Sequence, residues 1–435
     1  MRILLISWYF PPANDVAALR VGKLAEFLAG AGHDVWVLTG EREHADESLS
    51  VALPPERIIR VPWFDVQRLR FHNARNKRNL AKLAGAPPVA ELGSAALKRR
   101  SLADIINDTY VLFVQIPDRQ IGWLPYLMRA GKKLLSRQKF DLIYASGPPF
   151  TPFLAARSLG KRFGLPWIAE YRDGWSRYVY TPKPGWRQAV DAFIENRVAP
   201  TASGIVTVSE PWAEYYRARL KRPTVTVYNG FDPDNIPPAP ARVSAPSEPV
   251  SIVYLGALYQ GLRDPSVLYD ALKRSGLTPA DVQIVYYGPK PADIYPLTEK
   301  FGITPFVVLK DRVPYRRSLE IQREADVLLL LQSPLDPRNV PAKIFEYLAS
   351  CRPILGLGLD EGIPAALVRE RAAGFYVSDP AAVAAQLRRW VEEKKSKGVI
   401  ADLSPEVHAG LSRAEQFGHL DNFFADVVAG SAHKL

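Results

Sequence analysis

Short, continuously apolar runs alternate along this chain with segments whose apolar residues recur every three or four positions. RILLIS (2–7) ends in the turn-rich YFPPANDVA, after which Leu24, Phe27, Leu28 and Ala31 fall on helical spacing. GHDVWVLTG (32–40) then reads as a helix-stopping glycine followed by a second strand. Strands that are apolar throughout, not at every second position, belong to a parallel sheet covered by helices on both faces. The unit returns at DLIYASGPP (141–149), LPWIAEYRD (165–173) and GIVTVS (204–209), and TVTVYNGFDP (224–233) closes the series. After the stretch NIPPAPARVSAPSEP (235–249), rich in proline and small residues, a second series begins: VSIVYLG, VQIVYYG, FVVLKD, ADVLLLLQ and RPILGLG.

The pattern predicts an α/β protein of two Rossmann-like parallel domains facing across a cleft. The expected divisions are 1–234, with a basic insertion at about 63–130; a linker at 235–249; a second domain at 250–403; and a helical segment at 404–435 packing back toward the first domain. Open parallel sheets bind ligands at the carboxyl ends of their strands. The site is therefore expected in the cleft between the domains.

Composition narrows this picture. A chain of 435 residues exceeds what one core usually supports, and its hydrophobic fraction of 47% rules out a disordered protein. The single cysteine, Cys351, cannot close an intramolecular disulfide, so a reducing, cytoplasmic setting is expected. MRILLISWYFPP lacks a small-residue cleavage site and reads as a buried strand, not a signal peptide, and no run is long and apolar enough to span a membrane. The net charge of +11 calls for an anionic partner: nucleic acid, an anionic membrane surface or a phosphorylated small molecule. No nucleic-acid-binding module is recognisable, and no Cys/His cluster has metal-site spacing.

The candidate chemistry lies at predicted strand ends. In NVPAKIFEYLAS (339–350), Pro341 stands near the first helical position, and Lys343 and Glu346 share one face of the helix. A cation at a helix start suits a diphosphate, and a carboxylate one turn on suits a diol; the pair also fits a plain surface ion pair. Arg263, in GALYQGLRDP, can hold phosphate oxygens bidentately or pair with Asp264. Asn14 and Asp15 either touch ligand or cap the following helix. EYRDGWS (170–176) brings Arg172 and Asp173 to a strand end, where Asp173 can orient or deprotonate a hydroxyl and Arg172 can hold a phosphate, unless both serve structural ion pairs. Between residues 68 and 100 the only acid among nine Lys and Arg residues is Glu91; with Trp63, Phe64 and IGWLPYLM (121–128) nearby, this suits peripheral contact with an anionic membrane, or an ordinary solvated insertion.

SWYFPP followed by GHDVWVLTG, then ASGPPFTPFLAARSLGKRFGLPWIAEYRDGW, VTVSEPW with VYNGFDP, YLGALYQGLRDP and VPAKIFEYLASCRPILGLG, occur in one order. In these the chain resembles the retaining glycosyltransferases of the family 4 type with the GT-B fold, especially those that build bacterial surface polysaccharides. The resemblance implies transfer of a sugar from a nucleotide-diphosphate donor, a UDP-sugar, to a hydroxyl of a lipid-linked or polysaccharide-precursor glycan. It implies no obligatory metal or cofactor. It places Lys343 and Arg263 on the diphosphate, Glu346 on the ribose, and Gly256, Val313 and Ile344 among the donor contacts. Asp173, with Arg263 and Lys343, is the catalytic set, while Asn14, Asp15, Gly147 and Arg172 line the acceptor side. Three positions depart from the family pattern: a frequent glutamate is Arg338, an arginine after Gly256 is Ala257, and glycines of the first loop are Asn14 and Asp15. A nucleotide-sugar epimerase of similar fold, or a binding subunit without catalysis, is the alternative reading.

Overall fold

The computed structural model describes residues 1–41, 49–66, 110, 112–177, 183–238, 246–258 and 262–432. The basic run at 68–100 thus lies outside the described residues. The described chain forms two compact units, one of residues 1–229 with 413–432 and the other of 230–412.

In the first unit, β1 (Arg2–Ser7), β2 (Asp34–Gly40), β3 (Ile58–Val61), β4 (Leu142–Gly147), β5 (Trp167–Tyr171), β6 (Gly204–Thr207) and β7 (Thr224–Thr226) form one parallel sheet in the order 3-2-1-4-5-6-7. Successive residues of each strand enter opposite cores. Leu4, Ile6, Ile143 and Ala169 pack beneath α2 (Leu124–Arg137), α3 (Thr151–Phe163), α4 (Gly185–Val198) and α5 (Glu210–Leu220). Ile3, Leu5, Leu142 and Ile168 pack beneath α1 (Val16–Gly30) and α12 (Arg413–Ala432). Burial on both faces is why the strands read as unbroken apolar runs. Within α12, Phe424 lies 5.3 Å from Tyr144 and Phe417 lies 5.8 Å from Phe27, ring centre to ring centre.

The second unit repeats the plan. Strands β8 (Val250–Leu255), β9 (Val282–Tyr287), β10 (Val307–Lys310), β11 (Val327–Leu331), β12 (Ile354–Leu357) and β13 (Gly374–Tyr376) run parallel in the order 10-9-8-11-12-13. Their helices are α6 (Ser266–Ser275), α7 (Pro291–Phe301), α8 (Tyr315–Glu324), α9 (Lys343–Ala349), α10 (Ile363–Glu370) and α11 (Pro380–Lys397). Strand β13 is too short to register as an apolar run; Gly374 opens it at φ +142°, where a Cβ would sit 2.2 Å from the Ile354 carbonyl oxygen. The chain order reverses between β1 and β4 in the first sheet and between β8 and β11 in the second. Those are the points where a crevice opens beyond the strand ends.

The segment 121–128 does not form the apolar surface that its composition predicts. Trp123 and Leu127 are fully buried, Trp123 with its ring centre 5.3 Å from that of Trp8, and Tyr126 alone of the larger side chains there is well exposed. A helix with one wet face must turn its other side chains to the core, and α2 places Leu127, Leu134 and Leu135 there.

Candidate active site

At the β8/β11 reversal of the second unit, the chain leaves β8 through Gly256 at φ +116°. This left-handed backbone favours glycine, and a Cβ there would lie 3.4 Å from the Lys343 ammonium. Lys343, the first residue of α9, donates to the Leu255 carbonyl at 2.6 Å and lies 4.3 Å from the centre of the Tyr254 ring. Although the side chain keeps some exposure, its ammonium is largely withdrawn from water. Burial, and then the nearby Arg263 charge, lower its pKa to about 7, against a smaller opposing effect of Glu346. Arg263 donates to the Ala257 carbonyl at 3.0 Å and contacts the Tyr254 hydroxyl at 3.4 Å. Its guanidinium thus returns to the position where the family pattern carries an arginine. Two cations are held beside one tyrosine at the strand end.

Glu346 sits one turn further along α9. Its carboxylate accepts from the Tyr315 hydroxyl at 2.9 Å and from Gln322 Nε2 at 3.4 Å, so the first residue of α8 and one two turns later hold both of its oxygens. Lys343 does not pair with it, which removes the plain surface ion pair from consideration. The helix is shorter than its sequence predicts: it starts at Lys343, and the Ile344 and Phe345 N–H groups close tight turns onto the Pro341 and Ala342 carbonyls. With these two N–H groups occupied, less of the helix terminus is open to a ligand, and Lys343 and Arg263 supply the cations of the site. Ile344 itself is completely buried, so its side chain belongs to the core and not to a ligand wall. Val313 is half-buried in the loop between β10 and α8. Arg338 pairs with Asp336 at 3.4 Å.

In the first unit, the loops after β1, β4 and β5 meet at the β1/β4 reversal. Arg172 bridges them: its guanidinium lies 5.6 Å from the centre of the Tyr9 ring and donates to the Pro148 carbonyl, while its Nε is buried without a partner. Gly147 ends β4 where a Cβ would approach the Phe150 ring to 2.8 Å. Asp173 is half-buried in the bend that follows β5, and Asn14 is exposed. Asp15 accepts from the Ala18 N–H at 2.7 Å, and so caps α1.

Beneath these loops lies an ion pair that motif reasoning missed. Glu170, fully buried, accepts from Arg20 at 2.8 Å and from Ser146 at 2.5 Å, and Arg20 also donates to the Val227 and Tyr228 carbonyls, each at 2.9 Å. Burial pushes the Glu170 carboxyl up, but Arg20, Arg172 and the Ser146 hydrogen bond outweigh it and hold the pKa below the ordinary value. The signal was available in the sequence: a glutamate inside the apolar strand WIAEY must have a partner. No local pattern names Arg20 as that partner, because it lies 150 residues away.

Residues 17–230 match the family described as glycosyl transferase 4-like domain. That segment belongs to the family 4-type glycosyltransferases. No curated protein matches the sequence of the chain significantly. Among solved structures, this glycosyltransferase is similar to sucrose-phosphate synthase from Thermosynechococcus elongatus, with TM-score 0.65 and 18% identity over 99% of this chain and 100% of that one. TarM gives TM-score 0.61 and 12% identity over 98% and 99% of the two chains. HepE from Anabaena, solved with UDP and glucose, gives TM-score 0.60 and 14% identity over 98% and 99%. These likenesses are of fold, and the two parallel-sheet units match those of GT-B glycosyltransferases.

Proposed function

We propose that this glycosyltransferase takes the sugar of a UDP-sugar and attaches it, with retained anomeric configuration, to a hydroxyl of a lipid-linked or polysaccharide-precursor glycan. The observation that carries this reading is the pair Lys343 and Arg263, held around Tyr254 at the carboxyl end of β8. Arg263, with Lys343 protonated as the donor binds, matches the two charges of a sugar-linked nucleoside diphosphate and stabilises the further charge that grows as it departs, with no obligatory metal. The UDP and glucose bound by HepE support the donor class. In this reading Glu346, whose carboxylate is held by Tyr315 and Gln322, accepts from the ribose diol. Arg172 and Asp173 serve the acceptor, Asp173 by orienting its hydroxyl.

Incubation with a panel of UDP-, GDP- and ADP-sugars plus a glycan acceptor, read by mass spectrometry with and without EDTA, tests this. Transfer from a UDP-sugar that persists in EDTA is expected. Interconversion of the sugar without transfer identifies an epimerase, and binding without turnover identifies a non-catalytic subunit. A further expectation concerns Glu346: Glu346→Gln should raise the donor KM roughly tenfold with little change in kcat, as for loss of one charge-assisted hydrogen bond outside the reacting bonds. Tyr315→Phe should act in the same direction and less strongly. A large fall in kcat at unchanged KM would move Glu346 to the reacting sugar.

A further inference from the structure

Helices α2, α3 and α4 cover the same face of the first sheet, with their inner residues in one core. Gly131 of α2 packs so closely on α3 that a Cβ there would meet Leu159 at 2.5 Å. Their outer faces are unusual in charge. On α2, Arg129, Lys132, Lys133 and Arg137 are exposed; on α3, Arg157, Lys161 and Arg162 are exposed. Neither helix contains an aspartate or glutamate. None of the seven cations is in an ion pair among the described residues. Helix α4 has two acids, Asp191 and Glu195, but both are buried, against Arg187 at 3.1 Å and Arg219 at 3.1 Å. Among the described residues, no carboxylate of these three helices therefore reaches their outer faces. Exposed carboxylates resume on α5, with Glu210 and Glu214.

The same layer carries large apolar side chains turned to solvent. Trp186 and Phe193, seven residues apart and so on one side of α4, are 40% and 56% exposed. Arg197 lies 4.2 Å from the centre of the Phe193 ring. Tyr126, 44% exposed, stands at the start of α2. Arg187 of α4 donates to the Leu112, Gln115 and Pro117 carbonyls, which fixes Phe113, 66% exposed, beside the same helix.

From this juxtaposition we propose that the outer face of α2, α3 and α4 rests on an anionic phospholipid bilayer, with Tyr126, Phe113, Trp186 and Phe193 entering the headgroup region. Unpaired cations gain from an anionic surface what solvated ion pairs do not, and Trp, Tyr and Phe favour the interfacial depth. The aromatics argue against a nucleic acid as the occupant. They stand on the outer face of a helix, with no groove described that would stack bases on them. The inference does not depend on the identity of the donor sugar, and of the segment 121–128 it uses Tyr126 alone.

Cosedimentation of the full chain with vesicles tests it, using phosphatidylcholine alone and a 3:1 mixture with phosphatidylglycerol. Binding is expected to the mixed vesicles only. The quadruple variant Arg129→Gln, Lys133→Gln, Lys161→Gln, Arg162→Gln should lose at least about a hundredfold in partition, taking roughly fivefold per cation. Trp186→Ser with Phe193→Ser should lose about tenfold or more. A control triple, Lys273→Gln, Lys300→Gln, Lys397→Gln, changes exposed lysines of the second unit and should bind as the parent does. Transfer of the sugar to a soluble acceptor, read as release of UDP to solution, should stay unchanged in the quadruple variant, so a failed membrane contact and a failed transferase reading are separable. The proposal is overturned if the quadruple variant binds vesicles as the parent does, if the control triple loses as much, or if the chain retains heparin or single-stranded DNA but not vesicles.

Discussion

Replacing Lys343 by alanine should lower kcat by roughly 100- to 1,000-fold, the range seen when one preorganised donor to developing charge is removed. Charge on the β-phosphate oxygens grows as the glycosidic bond breaks, so an ammonium beside them is stronger in the transition state than in the ground state. The ligand-free site adds a pH signature. With its pKa lowered to about 7 by burial and by Arg263, the Lys343 amine is half neutral near neutrality. A bound diphosphate supplies negative charge and raises that pKa, so donor binding takes up a proton above pH 7. Affinity for UDP should therefore be highest below pH 7 and fall by up to tenfold per unit above it, until the pKa of the bound form is reached. Lys343→Ala should bind UDP more weakly and lose this segment of the profile. Calorimetric titrations at pH 6, 7, 8 and 9 in buffers of different ionisation enthalpy measure both quantities; a profile unchanged by the substitution would remove Lys343 from the diphosphate. The sign for stability follows from the same depression. The unfolded chain binds this proton between about pH 7 and the ordinary lysine value of 10.5, so this group makes the ligand-free protein more stable as pH rises through that window.

Glu170→Ala should be the most damaging single change to the first unit. Arg20, 3% exposed, would keep its charge without the carboxylate that faces it, and breaking one half of a buried pair costs about 3–5 kcal/mol. Eight of the nine tryptophans lie in the first unit, only Trp390 in the second, so urea unfolding followed by tryptophan fluorescence reports on that unit. A loss below about 1 kcal/mol would mean that Arg20 finds water or another acceptor when its partner is gone. Because the Glu170 pKa is held below its ordinary 4.5, the pair contributes fully above that pH. Its contribution fades as pH falls through the folded value, so parent and variant should converge in acid. The pair also has a functional consequence. It ties α1 to β5 and to the chain at Val227–Tyr228, and so fixes the strand end from which Arg172 and Asp173 project.

What the sequence determined by itself follows from local rules. Unbroken apolar strands alternating with helical spacing specify two parallel sheets, because only strands covered on both faces can be apolar at every position. Lys343 and Glu346 were legible as one face of one helix because a three-residue separation is nearly a full turn. Whatever depends on which distant groups meet was decided by the tertiary structure. Only packing puts Tyr254 under Lys343, returns Arg263 to the Ala257 carbonyl, and gives Glu346 to Tyr315 instead of to Lys343. Only packing turns Trp123 into the core while leaving Trp186 and Phe193 outside, since all three sit in comparably apolar helical sequence. The Arg20 to Glu170 pair is the plainest case: composition demands a partner for a buried carboxylate, but which cation fills that need is set by how α1 crosses the sheet.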